Sequence, residues 1–346
     1  MIKYFTGSIF VTIIGLITAF IWAESHHAGA GLGALFIVSI LAILEVSLSF
    51  DNAVVNAMKL EKMEEIWHKR FLTWGIAIAV FGMRFLFPLM VVSIFAHKKI
   101  LNVLDMALNN SQQYAYYLQE THASISAFGG LFLLMLFLHY FFDSKKTVHW
   151  IKPIENWLSH LDDIRGIEII IAIGVLISLQ CYLPHEVYDG VLRSGLMGIV
   201  TFLAIDGLSK YLEKREDMSL AKCAAKAGCT GFVGFMYLEL IDASFSLDGV
   251  LGAFALSNDI VIISIGLAIG AMFVRSLTIL LVEKKTLAQF LYLEHGAHWA
   301  IGALAVIMLI TTKIEVPETV TGLIGLFFIV LSLISSILHN KLNKSL

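Results

Sequence analysis

Two short stretches of the chain carry acidic side chains six residues apart, within segments that are otherwise apolar. The first runs from Glu45 to Asp51 and the second from Asp242 to Asp248, and each has two serines at matching places between its acids. A further acid, Glu239, precedes the second stretch by three residues. An ionisable side chain at the centre of a membrane helix costs about 2.5 to 3.5 kcal/mol. We therefore expect these acids to face a cavity, a partner or an ion.

The donor atoms of these two acidic motifs are hard oxygens. Asn52 follows Asp51 directly, and neither Cys nor His occurs within the motifs. Such oxygens suit Mg²⁺, Ca²⁺ or Mn²⁺, whereas thiolate and imidazole would favour zinc or copper. The predicted metal-binding residues are Glu45, Asp51, Asn52, Glu239, Asp242 and Asp248, and the accessory candidates are Ser49, Asn56, Ser246, Arg84 and Arg275.

Two arginines also lie well inside apolar segments. Gly75 precedes Arg84 by nine residues, and Gly266 precedes Arg275 by nine. Five acids against two arginines leave an excess of negative charge, which suits a divalent cation better than a neutral structural network. The alternative, in which the acids simply form buried salt bridges with the arginines, stays open. The arginines either hold the empty site together, which we favour, or pair with another acid such as Asp206.

The acidic motif and the glycine–arginine pair recur in the same order, which indicates an internal duplication. The predicted repeat units cover residues 34–143 and 229–313, with connecting helices at 167–213 and a last helix at 319–338. Matching spans lie five apart, and this odd offset predicts an inverted-topology repeat of three-helix units. Transporters use such repeats to place a site near the membrane midplane.

The elements that must position these residues are membrane helices. Of the 346 residues, 58% are hydrophobic and only 15% are charged, which is typical of a membrane protein. Ten stretches are long enough to cross a bilayer, starting near residues 5, 34, 71, 123, 167, 194, 229, 260, 297 and 319. We expect an all-α, polytopic membrane protein with a single transmembrane domain over residues 1–346. Lys and Arg concentrate in alternate loops, which predicts cytoplasmic N- and C-termini.

Several other functions are not indicated by the sequence. A net charge of −3 gives no basic surface for nucleic acid, and the three cysteines are too scattered for a disulfide framework or a zinc site. No nucleophile elbow, zinc-protease His pair, phosphate-binding loop or dinucleotide fingerprint is present, so we predict neither an enzyme nor a prosthetic cofactor. The expected partners are a divalent metal ion and the lipid bilayer, while protein partners are not readable. Glu294, His295 and His298 lie close in the sequence, and the one-turn spacing of Glu294 and His298 could hold a metal, but a solvated interface is the favoured interpretation.

The acidic motifs resemble those of the TerC family. The similarity is carried by the residues from Glu45 to Asn56 and from Glu239 to Val250, and it extends through Arg275; residues 294–302 resemble a longer TerC-like branch. This resemblance implies a bacterial inner-membrane protein associated with manganese export and metal homeostasis. Carried over, it makes the acids of both motifs metal-binding. The second motif departs from the first by having Gly249 where the first has Asn52.

The leading hypothesis is a gradient-driven exporter of Mn²⁺, exchanging for protons, in which both acidic motifs form one site. A non-transporting membrane metal sensor or scaffold in a stress-response complex is the alternative. A membrane hydrolase is a weaker third hypothesis, because no motif favours it.

Overall fold

A computed structural model of the chain shows helices joined by short turns and loops, with no strand among the residues that it describes. These residues are 2–26, 29–61, 63–96, 98–144, 146, 148–164, 166–217, 231–232, 234–236, 238–239, 242, 253, 256–257, 259–284, 290–314, 316 and 318–344. The all-α class is therefore confirmed. Ser246 and Asp248 lie outside the described residues.

The helices follow one another in this order. They are α1 (Ile2–His26), α2 (Gly31–Leu48), α3 (Phe50–Glu61), α4 (Glu65–Ala77), a π-helix (Ile78–Leu86), α5 (Phe87–Phe95), α6 (Ile100–Asn109) and α7 (Ser111–Phe142). Next come α8 (Lys152–Ser159), α9 (Ile167–Ser178), α10 (His185–Asp217), α11 (Ile260–Glu283), α12 (Leu293–Thr311) and α13 (Glu318–Lys344). Short 3₁₀ turns at His160–Asp163 and Leu179–Cys181 follow α8 and α9.

Six of the described helices are long and apolar enough to cross a membrane. They contain the segments Tyr4–Ser25, Gln112–Phe142, Val187–Leu208, Ile260–Glu283, Leu293–Thr311 and Leu323–Lys341. A seventh candidate is the bent pair Gly31–Ser47 and Asn52–Glu61, whose halves meet at 55°. The chain is thus a multi-pass membrane protein, with fewer candidate spans in the described residues than the ten expected.

The difference in span number comes from three regions. The span expected near residue 71 is divided among α4, the π-helix and α5. The one expected near residue 167 is the short apolar segment Ile167–Cys181. The span expected near residue 229 falls mostly outside the described residues.

The chain divides into two compact units. The first consists of Met1–His122 and Leu238–Lys284, and the second of Ala123–Tyr237 and Lys285–Leu346. In the first unit α11 packs against α1, α2, α3 and the π-helix. In the second unit α12 packs against α13, and α9 packs against α10. Both acidic motifs start in the first unit, which therefore contains the described part of the candidate site.

The start of α11 is fixed by a polar cap. The Asp259 carboxylate accepts hydrogen bonds from the backbone N–H groups of Val261, at 2.8 Å, and Ile262, at 3.4 Å. Its other oxygen accepts a bond from the indole N–H of Trp22 on α1, at 2.8 Å. Aspartate is a favoured N-cap because it satisfies backbone donors that the first helical turn leaves free. The cap thus sets both where α11 begins and where α1 meets it.

Two glycines on α11 allow its close approach to α2. A Cβ atom at Gly266 would lie 2.6 Å from Cβ of Leu41, and one at Gly270 would lie 2.6 Å from Cγ of Glu45. Small residues four apart are a common device for close packing of membrane helices, where dispersion contacts replace the hydrophobic effect. Through Gly270 this packing also positions Glu45, the first acid of the first motif.

The π-helix places Arg84 in a wide turn that a second contact stabilises. Pro88 follows Arg84 by four residues and has no backbone N–H, so it cannot donate to the Arg84 carbonyl as an α-helix would require. The Ser264 hydroxyl on α11 donates to this carbonyl instead, at 3.4 Å. Short π-helical turns occur frequently at functional sites.

The close packing of α2 and α11 predicts that Gly266→Ala destabilises the protein. The added methyl group must displace Leu41, which we expect to lower the free energy of unfolding by about 1 to 3 kcal/mol. Thermal unfolding in detergent measures the effect. Gly33→Ala on α2 is the control, because no atom lies within 4 Å of its added Cβ. Equal melting temperatures for Gly266→Ala and the wild type would show that the two helices are less closely packed.

Candidate functional site

Glu45 and Arg84 form a buried ion pair near the end of α2. The Arg84 Nη2 donates to Glu45 Oε1, and both residues are almost inaccessible to solvent. The Ser49 hydroxyl also donates to Glu45 Oε1, at 3.3 Å. Glu45 thus has two donors, one from the π-helix and one from the turn where α2 ends.

Asp242 lies at the centre of the candidate site. Its Oδ1 accepts a hydrogen bond from the Asn52 side chain on α3, at 2.5 Å. Its Oδ2 accepts one from Arg275 Nη2, at 3.2 Å, and lies 3.7 Å from Arg84 Nη1. One carboxylate of the second motif therefore contacts a residue of the first motif and both arginines.

Glu239 completes the described network. The Arg275 Nη2 donates to both carboxylate oxygens of Glu239, at 2.9 and 3.1 Å. The guanidinium also lies over the Phe71 ring, with its Cζ 4.3 Å from the ring centroid, and Nη1 donates to the Phe71 carbonyl at 3.4 Å. Phe71 is a contact that the sequence did not indicate, since a backbone carbonyl acceptor leaves no signature in residue type.

The described network carries an excess of one negative charge when every group is ionised. Glu45, Glu239 and Asp242 contribute three carboxylates, while Arg84 and Arg275 contribute two guanidinium groups, and all five are at most 5% exposed. Breaking a buried ion pair by removing one partner typically costs about 3 to 5 kcal/mol, because an uncompensated charge remains. The network therefore constrains α2, the π-helix and α11 together.

The remaining predicted site residues fall into two groups, those whose side chains the structure describes and those whose side chains it does not. Ser49 and Asn56 are both buried; the Ser49 hydroxyl donates to Glu45, and Asn56 lies one turn after Asn52 on α3. The Asn56 Oδ1 has no hydrogen-bond partner among the described residues. Asp51 lies in α3, but its side chain is not described. Asp248 and Ser246 are outside the described residues, so their place relative to the network stays a prediction.

The break between α2 and α3 is a bend rather than an unwound stretch. The Ser49 N–H donates to the Glu45 carbonyl at 2.9 Å. The Ala53 N–H in turn donates to the Ser49 carbonyl at 3.1 Å. These bonds continue across the turn at Ser49, where the helix axis bends by 55°.

The acids do not by themselves form a metal-ligand group in the part of the chain that the structure describes. No three or more His, Cys, Asp or Glu side chains converge there in a geometry that holds a metal ion. Guanidinium nitrogens lie among the described carboxylates and contact their oxygens. A divalent ion at Asp242 would compete with the guanidinium groups for the carboxylate oxygens.

Comparison with known proteins places the chain in a family. A family model described as "Protein of unknown function (DUF475)" matches residues 50–343, which is most of the chain. The chain belongs to the DUF475 family. No curated protein and no solved structure matches it significantly. The match includes Asn52, Asp242 and both arginines, whereas Glu45 precedes the matched residues.

A separate buried carboxylate occurs in the other compact unit of this DUF475 protein. Glu155 on α8 lies 2.9 Å from His295 Nδ1 and accepts a hydrogen bond from Trp299 Nε1 at 3.1 Å. Backbone N–H groups of Trp150 and Ile151 also donate to it, at 2.8 and 3.2 Å. These contacts fasten α8 to the start of α12.

The environment of Glu155 has a clear electrostatic effect. Burial raises the pKa of Glu155, but the contacts with His295 and Trp299 and the charge of His295 more than offset this and lower the pKa to about 2. His295 is buried here, and His298 stacks on Tyr140 with ring centroids 3.5 Å apart. The structure therefore differs from the solvated interface favoured for these histidines, because Glu155 and Tyr140 cover them.

We expect Glu155→Gln to lower the free energy of unfolding at neutral pH by up to about 3 kcal/mol, because His295 loses its charged partner. A carboxyl group whose folded-state pKa is depressed stabilises the protein above its unfolded pKa, near 4.5, and loses that effect as the pH falls toward 2. The difference in melting temperature between variant and wild type should therefore shrink over this range. Glu120→Gln, at an exposed position, is the control. A difference independent of pH would contradict the electrostatic role.

Proposed function

We propose that this DUF475 protein is a gradient-driven exporter of a divalent cation, with Mn²⁺ as its substrate. The observation that carries the proposal is the environment of Asp242. This buried carboxylate contacts Asn52 of the first motif together with Arg84 and Arg275. Buried ionisable groups in membrane proteins typically mark ion or substrate pathways, since their insertion is costly.

The donor atoms around Asp242 support a hard cation as the substrate. They are carboxylate and amide oxygens, which bind Mn²⁺, Mg²⁺ and Ca²⁺ in preference to softer metals. The buried Oδ1 of Asn56 adds an amide oxygen without a hydrogen-bond partner among the described residues. A buried acceptor left unsatisfied is unfavourable, and a bound cation would remove that cost. The resemblance to the TerC family supports Mn²⁺ within this set.

The two arginines supply a physical basis for the release and rebinding of the cation. Without the ion, Arg84 and Arg275 offset two of the three negative charges and hold the network together. A divalent ion competes with the guanidinium groups for the same oxygens. Protonation of the carboxylates weakens ion binding, so an inward proton gradient can drive the ion outward.

We further propose that this transport takes place in a bacterial inner membrane. The proposed transporter has ten spans, an inverted repeat and cytoplasmic termini. The pairing pattern supports the repeat. Glu45 of the first motif contacts Arg84, which follows it in the first proposed unit, and Glu239 contacts Arg275, which follows it in the second. A transporter with such a repeat alternates between two related states around a shared site.

A membrane metal sensor or scaffold is the second candidate function. The observation that favours it is the pairing of every described acid of the network with an arginine, together with the lack of a metal-ligand group among described residues. Such a network suits a structural role as well as an empty transport site. Transport and sensing differ in whether the purified protein moves ions without a partner.

Purified protein in liposomes tests the export proposal. We expect Mn²⁺ flux that depends on an imposed proton gradient, and we expect Asp51→Ala, Asp248→Ala and Asp242→Asn each to reduce it by more than about tenfold. Loss of a single charged ligand readily exceeds the roughly 1.4 kcal/mol that a factor of ten represents. Asp105→Asn, an exposed position on α6, is the matched control and should retain flux.

The same assay separates the two candidate functions. Mn²⁺ binding without flux supports the sensor. Normal flux in all three site variants would exclude these acids as the transport site.

A further inference from the structure

We infer that Gly75 and Phe71 on α4 form a seat that fixes the Arg275 guanidinium as a tethered competitor of the transported cation. The inference rests on the proposed export function, because it assigns to these two residues control over how readily an ion reaches Glu239 and Asp242. Neither residue bears a charge or a metal-binding side chain, and neither was a candidate from the sequence. Their role follows from the geometry around Arg275.

Phe71 contacts the guanidinium in two ways. Its ring lies under the cation, with Arg275 Cζ 4.3 Å from the centroid, and its carbonyl accepts a bond from Nη1 at 3.4 Å. A desolvated cation over an aromatic face is stabilised by the ring quadrupole. Phe71 is itself buried, so the ring has little freedom to move away. The guanidinium is thereby held by Phe71 as well as by its carboxylates.

Gly75 leaves the space that the guanidinium occupies. It lies one turn after Phe71, on the same face of α4. A Cβ atom at this position would collide with Arg275 Nη1 and would lie 3.0 Å from Glu239 Oε1. Glycine within a helix is less stable than alanine by about 0.5 to 1 kcal/mol, so the missing side chain has a cost in helix stability. The room for Arg275 offsets that cost.

The other repeat does not share this arrangement. Gly266 precedes Arg275 by nine residues, as Gly75 precedes Arg84, but a Cβ atom at Gly266 would meet Leu41 and the Val38 carbonyl. Gly266 therefore serves the packing of α2 against α11. The seat is specific to Gly75, and the repeat pattern alone does not indicate it.

The contacts of the Arg275 guanidinium determine how its displacement would affect cation binding. Its Nη2 donates to both oxygens of Glu239 and to Asp242 Oδ2, at 2.9 to 3.2 Å. A guanidinium fixed there competes with a divalent cation for the same oxygens. A guanidinium displaced from its seat competes less well, so the ion binds more tightly and leaves more slowly. Gly75→Ala should therefore lower both the KM and the maximal rate of Mn²⁺ export.

A double-mutant cycle tests the seat. The variants are Gly75→Ala, Arg275→Lys and their combination, each purified in detergent and titrated with Mn²⁺ by calorimetry, with thermal unfolding measured in parallel. Lysine lacks the Nη1 atom that an alanine at position 75 would strike. We expect Gly75→Ala to lower the Kd for Mn²⁺ about fivefold in the wild-type background and to leave it unchanged in the Arg275→Lys background. The melting temperature should show the same non-additivity.

Gly82→Ala is the matched control, because the nearest atom to its added Cβ is Ile78 Cγ2 at 3.4 Å, an ordinary contact. Its Mn²⁺ affinity should equal that of the wild type. If Gly75→Ala changes the affinity and the melting temperature equally in both backgrounds, the proposal that Gly75 and Phe71 fix the Arg275 guanidinium is overturned. Non-additive melting temperatures with an unchanged Kd would overturn the competition with Mn²⁺. Non-additive Kd values without Mn²⁺ flux in liposomes would uphold the seat and refute the exporter.

Discussion

The first compact unit depends on one constraint, which is that its two buried guanidinium groups must be neutralised. Arg84 and Arg275 are at most 3% exposed. An arginine cannot lose its charge in a protein, so it must find carboxylates or carbonyls where water is excluded. Glu45, Glu239 and Asp242 meet this need, and they come from segments far apart in the sequence. The ion pairs therefore fix which helices lie together, in addition to any role in ion binding.

The helix packing of this unit is adapted to that network. Gly270 lets α11 approach α2 at Glu45, and the Ser264 hydroxyl satisfies the carbonyl of Arg84 that Pro88 cannot. In hydrocarbon such close contacts replace the hydrophobic effect as the source of helix association. A methyl group added at Gly270 would thus disturb the packing and the position of a site carboxylate at once. Stability and the geometry of the site are coupled through the same few atoms.

The sequence predicted those features that follow from the cost of burying polar groups in an apolar chain. The all-helical membrane class follows from composition, and Glu45, Asp242, Arg84 and Arg275 were recognised because each is expensive within an apolar segment. It did not predict which arginine meets which acid, because that depends on the packing of distant helices. Phe71 was missed because its acceptor is a backbone carbonyl. Glu155 was missed because its partners, His295 and Trp299, lie far away in the sequence.

In the proposed transporter, the contacts of Asp242 link ion binding to helix position. One of its oxygens accepts from Asn52 on α3, and the other faces the two guanidinium groups. A cation that coordinates this carboxylate competes with these donors for its oxygens. Displacing Asn52 releases α3 beyond the bend at Ser49, whereas displacing a guanidinium releases the π-helix or α11 from Asp242. Either exchange changes the restraints between helices, which is the physical requirement for a site that opens alternately to two sides of a membrane.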